Sequence, residues 1–254
     1  MKTIFVTGTD TAMGKTMVSR ALLQCFAKVN LCAAGYKPVA KSAQHTPEGL
    51  RNKDAVLLQQ ASGLTLSYSD VNPVTLDEDE ISTSPAQRID YPLLSRGLAG
   101  LQDRAARVVV EGTGGWRNLM NDLRPLSQWV QQAQLPVVLV VGIKEGCISH
   151  ALLTAEAIAA DGLTLAGWVA NRINPGLAHY AEIIDVLRDK LNAPLLGELP
   201  YLPRAEQRDL SGYLDITLLG GDALHSESAK PASAAEADGG DALAGAAFAA
   251  AFWL

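Results

Sequence analysis

The chain has 254 residues, 48% of them hydrophobic, with a formal net charge of −6. That is enough apolar material for one large α/β domain or two small ones. The acidic balance excludes nonspecific nucleic-acid binding, which needs a basic surface, and no apolar run reaches the length of a membrane span.

The N-terminus lacks a signal-peptide core, because Asp10 and Lys15 interrupt the apolar run early. Three cysteines, Cys25, Cys32 and Cys147, show no metal-type spacing and fit a reduced cytoplasm. The four histidines, His45, His150, His179 and His225, likewise show no ligand spacing.

Thr3-Ile4-Phe5-Val6-Thr7 reads as a short buried strand. It enters Gly8-Thr9-Asp10-Thr11-Ala12-Met13-Gly14-Lys15-Thr16. Val18, Ala21, Leu22, Cys25, Phe26 and Val29 then repeat at amphipathic-helix spacing. Strand, glycine-bounded loop ending in Gly-Lys-Thr, and helix form the setting of a phosphate loop. Loop amides and the helix dipole there favour an anion, Lys15 adds a positive charge, and Thr16 offers a hydroxyl to Mg²⁺. Gly8 and Gly14 enclose five residues rather than the common four.

A second strand is expected over Leu31 to Tyr36, ending in Lys37-Pro38, where Pro38 keeps Lys37 extended. A lysine at a parallel strand's carboxyl end, beside a phosphate loop, is a candidate for charge stabilisation. Thr46 to Asp54 reads as a polar loop running into a helix over Ala55 to Ala61, with Asp54 also a candidate N-cap. Residues 62 to 90 hold mixed short elements, with a turn at Asn72-Pro73 and a solvated acidic loop at Asp77-Glu78-Asp79-Glu80. Leu93 to Leu101 is read as a helix.

Arg107-Val108-Val109-Val110-Glu111, followed by glycines, is a buried strand delivering a carboxylate to the ligand edge of the sheet. Thr16, Asp54 and Glu111 therefore make a chemically sensible Mg²⁺ shell, although spacing alone does not bring them together. Further on, Leu126 to Gln132 is expected as helix and Leu135 to Gly142 as the most apolar strand. A helix is expected over Ala151 to Ala160 with Ser149 as its N-cap, then a strand over Leu165 to Ala170 ending at Asn171-Arg172. A helix over Ala181 to Leu191 and a strand over Pro194 to Leu199 close the pattern. Alternation without β-hairpin signals predicts a mostly parallel sheet covered on both faces, a P-loop NTPase-like three-layer α/β fold. The domain is expected over 1–219. Residues 220–254, rich in alanine, glycine, serine and acids, are expected as a disordered tail.

These residues resemble one family, ATP-dependent dethiobiotin synthetase, and most of all its second, enterobacterial paralogue. The resemblance is carried by Gly8 through Thr16, Gly35-Tyr36-Lys37-Pro38-Val39-Ala40, Thr46 through Asp54 and Val110 through Trp116. Gly146-Cys147-Ile148 and Gly167-Trp168-Val169-Ala170-Asn171 add to it. It spans roughly residues 3 to 214, and the five-residue loop is the family's own form. It implies a homodimeric cytoplasmic enzyme that makes dethiobiotin, ADP and phosphate from 7,8-diaminopelargonic acid, CO₂ and MgATP.

By the same resemblance Lys37, Lys15 and Thr11 are catalytic, with Thr11 near the carbamate. Nucleotide contacts fall to Ala12, Met13, Gly14, Lys15, Thr16, Met17, Asp54, Glu111, Gly112, Thr113 and Gly114. Asn171, Arg172, Pro200, Tyr201 and Leu202 take the adenine side. Lys41, Gly146, Cys147 and Ser149 meet the substrate, the last three from the neighbouring subunit. Two positions depart from the usual pattern, with Lys41 in place of a serine and Ser149 in place of an asparagine.

Two alternatives stand beside this. One is a related ATP-dependent ligase acting on another diamine or carboxylate. The other is an ATP-switched partitioning protein, which would carry a second lysine where this chain has Asp10.

Overall fold

In a computed structural model, which describes residues 1–76 and 89–220, six parallel strands form one sheet in the order β10-β9-β8-β1-β7-β2. They are β1 (Thr3–Gly8), β2 (Ala33–Tyr36), β7 (Arg107–Gly115), β8 (Val137–Gly142), β9 (Leu165–Asn171) and β10 (Leu195–Leu199). β1 lies between β7 and β8, with Phe5 opposite both Val110 and Val137. Every residue of β1 and β8 is buried, as expected of strands covered on both faces.

The covering helices are α1 (Lys15–Lys28), α2 (Lys53–Ala61), α4 (Tyr91–Arg104), α5 (Ser127–Gln132), α6 (Cys147–Ala160) and α7 (Tyr180–Lys190), with a short α3 (Tyr68–Val71). The sheet separates two apolar layers. The larger gathers Val18, Leu22, Phe26, Val109 and Trp129, and the smaller gathers Leu139, Trp168, Ile184 and Leu187. Ile216 and Leu219 belong to the larger layer, immediately before the composition changes. The acidic run Asp77 to Glu80 and the tail beyond Gly220 lie outside the described residues.

Several sequence expectations are corrected. The stretch read as a polar loop holds an antiparallel hairpin, β4 (Gln44–Thr46) with β5 (Gly49–Arg51), so hairpins are not absent from the fold. The turn works because Gly49 takes a φ of 107°, which β-branched or bulky residues avoid. A separate two-residue parallel pair joins β3 (Val39–Ala40) to β6 (Val74–Thr75).

Asp54 does not cap α2. Asn52 does, accepting from the Ala55 amide at 3.1 Å, which leaves Asp54 as the second helical residue. α6 starts four residues earlier than expected, at Cys147, with Gly146 in the left-handed region at its N-cap. Ser149 is therefore inside the first turn rather than at the cap. β2 begins at Ala33, two residues later than expected, and β7 runs on through its glycines to Gly115.

Candidate active site

The loop between β1 and α1 curls at two left-handed positions, Ala12 with φ 60° and Gly14 with φ 89°. Such a curl converges successive backbone N–H groups on an anion at the helix start. Gly14 is required for a second reason. A Cβ built there would lie 2.0 Å from Nδ2 of Asn171. That same Nδ2 donates to the Met13 carbonyl at 2.9 Å, so the end of β9 supports the loop from behind. Lys15 donates to the Asp10 carbonyl at 3.0 Å. Burial, followed by repulsion from Lys37, pushes the Lys15 ammonium down to about 8. An incoming polyphosphate would reverse that cost by supplying the missing negative charge.

The strands deliver the remaining groups to the same edge. Val110 is paired with Tyr36 across β7 and β2, so the chain leaving β2 passes alongside the next residue of β7. Lys37 follows Tyr36 and Glu111 follows Val110. Nζ of Lys37 donates to Oε1 of Glu111 at 2.7 Å and to Oδ2 of Asp54 at 3.3 Å. Oγ1 of Thr16 donates to the same Glu111 oxygen at 2.9 Å. Lys37 is 3% exposed and Glu111 fully buried. Burial alone would lower the Lys37 pKa, but the pull of Glu111 and then Asp54 outweighs it, so the pKa stands above the ordinary lysine value. The ammonium stays charged at neutral pH. Its backbone is fixed as well, the amide donating to the Val71 carbonyl at 2.8 Å and the carbonyl accepting from Asn72 at 2.7 Å.

The fully buried Glu111, held by Thr16 and Lys37, lies behind Thr16, Lys37 and Asp54, which line a cleft of about 640 Å³. Its walls include Thr11, Ala12, Gly14, Lys15, Thr16, Met17, Lys37, Lys41, Asp54, Thr113 and Gly114, all expected from the sequence. They also include Ser42, Asn52, Lys53 and Asn118, which the sequence reading missed. Asn52 carried a usable signal, an asparagine directly before a helical run. Asn118 carried none, since only the path of the chain after β7 brings it there. Met13, Gly112 and Asn171 stand behind the cleft lining. Met13 is 5% exposed, and Gly112 packs where a Cβ would meet the Phe5 ring.

Arg172 turns away to stack over Tyr180 at 4.8 Å, and Pro200, Tyr201 and Leu202 follow the end of β10. Gly146, Cys147 and Ser149 do not line this cleft. They open a second one of about 920 Å³ at the start of α6.

A divalent cation suits the phosphate-loop cleft. Oε2 of Glu111 is buried and has no hydrogen-bond partner among the described residues, although such atoms normally find one. Two carboxylates and a hydroxyl are hard oxygen donors of the kind Mg²⁺ takes. The described residues contain no cluster of three or more His, Cys, Asp or Glu side chains able to hold a metal on its own, which fits a cation such as Mg²⁺ that takes few protein ligands and keeps waters. Asp54→Asn and Glu111→Gln are each expected to raise the Mg²⁺ concentration for half-maximal activity by about tenfold or more. Unchanged Mg²⁺ titrations in both variants would remove the shared shell.

Comparison with known proteins decides which phosphate-loop enzyme this is. Residues 2–208 match a family model described as an AAA domain. The ATP-dependent dethiobiotin synthetase BioD 2 of Salmonella typhi is 66% identical over 220 residues, covering 87% of this chain and 95% of that protein. The chain belongs to the dethiobiotin synthetase family. Its relative from Escherichia coli K12 is also 66% identical over 86% of this chain and 95% of its own length. The synthetase of Vibrio vulnificus strain YJ016 is 53% identical over 86% of this chain and 98% of its own length. Among solved structures, the MinC:MinD cell division protein complex of Aquifex aeolicus superposes with a TM-score of 0.51 at 16% identity. It covers 84% of this chain and 87% of that one, and at this identity it shows the shared P-loop fold alone. Dethiobiotin synthetases are ATP-dependent ligases, so the cleft belongs to an enzyme.

Proposed function

We propose that this chain converts 7,8-diaminopelargonic acid, CO₂ and MgATP to dethiobiotin, ADP and phosphate. The observation that carries the assignment is that Lys37 and Thr16, both lining the phosphate-loop cleft, donate to one oxygen of the buried Glu111 behind it, in a chain of this family. One substrate amine adds to CO₂, releasing a proton and leaving a carbamate. A carbamate oxygen attacks the γ-phosphate and ADP departs. The second amine then attacks the carbonyl of the mixed anhydride, expelling phosphate and closing the ureido ring.

The loop amides from Ala12 to Thr16 and the Lys15 ammonium hold the outer phosphates. Lys37, kept protonated by Glu111 and Asp54, faces the charge that builds up during phosphoryl transfer. Thr11 and Lys41 both line the cleft; Thr11 orients the carbamate and Lys41 adds a second cation. Thr16, Asp54 and Glu111 would hold Mg²⁺, which neutralises charge across the phosphates. Asn171 and the Pro200-Tyr201-Leu202 segment take the adenine end, while Arg172 joins them only if its guanidinium leaves the Tyr180 ring. Much of the rate would come from holding two small reactants against the γ-phosphate in one cleft.

The start of α6 supports a homodimer with shared sites. Gly146, Cys147 and Ser149 line their own cleft and not the phosphate-loop cleft of the same chain, although Lys144 beside them pairs with Asp10 of that loop at 3.8 Å. Gly146 brings no side-chain cap, so the first-turn amides can receive a substrate carboxylate from the partner's cleft. The free thiols of Cys25, Cys32 and Cys147 support a cytoplasmic setting.

The test is ADP release with both diaminopelargonic acid and bicarbonate present, then with each omitted in turn. Release should need both, with dethiobiotin appearing in equal amount by mass spectrometry. ADP release indifferent to diaminopelargonic acid would overturn the assignment.

A further inference from the structure

One face of α1 is occupied by polar contacts that the proposed chemistry does not use. Met17, Arg20, Gln24 and Lys28 recur at three- and four-residue spacing, so they form a single stripe along the helix. The stripe starts at Met17 in the nucleotide cleft and runs away from it. Arg20 is 8% exposed, and its Nη1 donates to the Ala205 carbonyl at 3.1 Å while lying 3.9 Å from the Met17 sulfur. Gln24 donates to the Arg208 carbonyl at 3.2 Å and accepts from the Leu210 amide at 2.8 Å. Lys28 pairs with Asp209 at 3.0 Å.

Nearly every group on the 205–210 side is main chain. Apart from the Asp209 carboxylate and the nearby charge of Glu206, the stripe engages main chain, so what it chiefly fixes is the path of the backbone. The other end of the segment is also pinned, because the Leu199 carbonyl accepts from the Arg172 amide at 2.8 Å. Pro200-Tyr201-Leu202 spans the stretch between these two pins, with Leu202 packed against the larger apolar layer. A nearly buried guanidinium held by one carbonyl, with no carboxylate within 4.0 Å among the described residues, is an expensive way to secure a surface turn. Lysine or leucine packing would secure it with less desolvation.

We infer that Arg20, assisted by Gln24, is a positioning residue that sets the base-side segment at a fixed distance from the phosphate loop. The inference rests on the reading that Pro200-Tyr201-Leu202 faces the nucleotide base. α1 begins at Lys15, so one rigid helix carries both the phosphate cradle and the anchor of the base side. A nucleotide is then gripped at two ends whose separation is set by about one and a half helical turns. Loosening the anchor leaves the phosphate end intact and frees only the base end.

The experiment is isothermal calorimetry on the full chain in Mg²⁺, comparing ADP with pyrophosphate for the parent, Arg20→Met, Arg20→Lys and Gln24→Met. Arg20→Met should weaken ADP about tenfold, as loss of a charge-assisted hydrogen bond does. Pyrophosphate should stay within about twofold in the same variant, and Arg20→Lys should recover much of the ADP affinity. Gln24→Met, which is less buried, should move ADP in the same direction and covers the case of an unstable Arg20→Met. Equal weakening of both ligands, or unchanged ADP in both Arg20→Met and Gln24→Met, overturns the inference. If the parent itself binds ADP no better than pyrophosphate, the base-side reading fails first and the inference falls with it. A parent preference for ADP that survives both substitutions sinks the inference alone.

Discussion

Lys37→Gln is expected to lower turnover by about a hundredfold or more at saturating ATP, the usual effect of losing a preorganised charge at a transition state. Three observations make the loss that large. The ammonium is 3% exposed, so no water can take over its role cheaply. It is held by Glu111 at 2.7 Å and Asp54 at 3.3 Å, which fixes where its charge points. Its backbone is tied to Val71 and Asn72, so the glutamine would sit on the same main chain and report on the charge rather than on a collapsed loop. ADP affinity should fall only a few-fold, because the loop amides and Lys15 remain.

The same substitution has a second consequence. Glu111 is fully buried and would lose its cationic partner, and stranding a buried charge costs about 3–5 kcal/mol. Thr16 still donates to it, so the loss should fall at the lower end of that range. Thermal melting of Lys37→Gln should therefore drop in Mg²⁺-free buffer and recover in part with MgADP. Near-normal turnover in this variant would remove Lys37 from the catalytic groups.

The second large effect concerns assembly. Lys37→Gln and Ser149→Trp should each be inactive alone, yet regain activity when refolded together. Ser149 is exposed in the first turn of α6, so tryptophan there would block the amides without disturbing its own core. If each cleft is completed by the partner's α6 start, a mixed dimer holds one site with both lesions and one with neither. Random pairing makes half the dimers mixed, so recovery should reach about a quarter of the parent's activity. If Ser149 serves only its own subunit, every site carries a lesion and the mixture stays as inactive as its components. Size-exclusion chromatography of the mixture checks that both variants pair.

The phosphate loop was legible because everything that defines it is contiguous. Strand, Gly8-to-Thr16 loop and helix follow one another, and a continuous apolar run gives way to a 3.6-residue period within a few residues. Glu111 was legible for a similar reason, as a carboxylate closing a three-valine run that only a doubly covered strand would carry. Lys37 was marked by Pro38, which holds the chain extended at the strand's end.

The start of α6 was misplaced because the left-handed Gly146 can open a helix without a side-chain cap, and the sequence offered Ser149 as the more familiar signal. The β4–β5 hairpin was missed because its strands are three residues each and largely exposed, so no hydrophobic alternation announces them.

By itself, then, the sequence determined the parallel α/β plan, the phosphate loop and the carboxylate and lysine brought to its edge, all from short-range patterns of burial and turn chemistry. Only the tertiary structure decided that Thr16 and Glu111, 95 residues apart, share a hydrogen bond, and that Lys37 bridges Glu111 and Asp54. It also decided that Asn52 caps α2 while holding the Lys41 carbonyl at 2.7 Å, and that α1 grips the chain at Ala205 and Leu210. The reason is physical. A parallel sheet places every strand's carboxyl end on one edge, but which ends are neighbours depends on crossovers whose order no local pattern records.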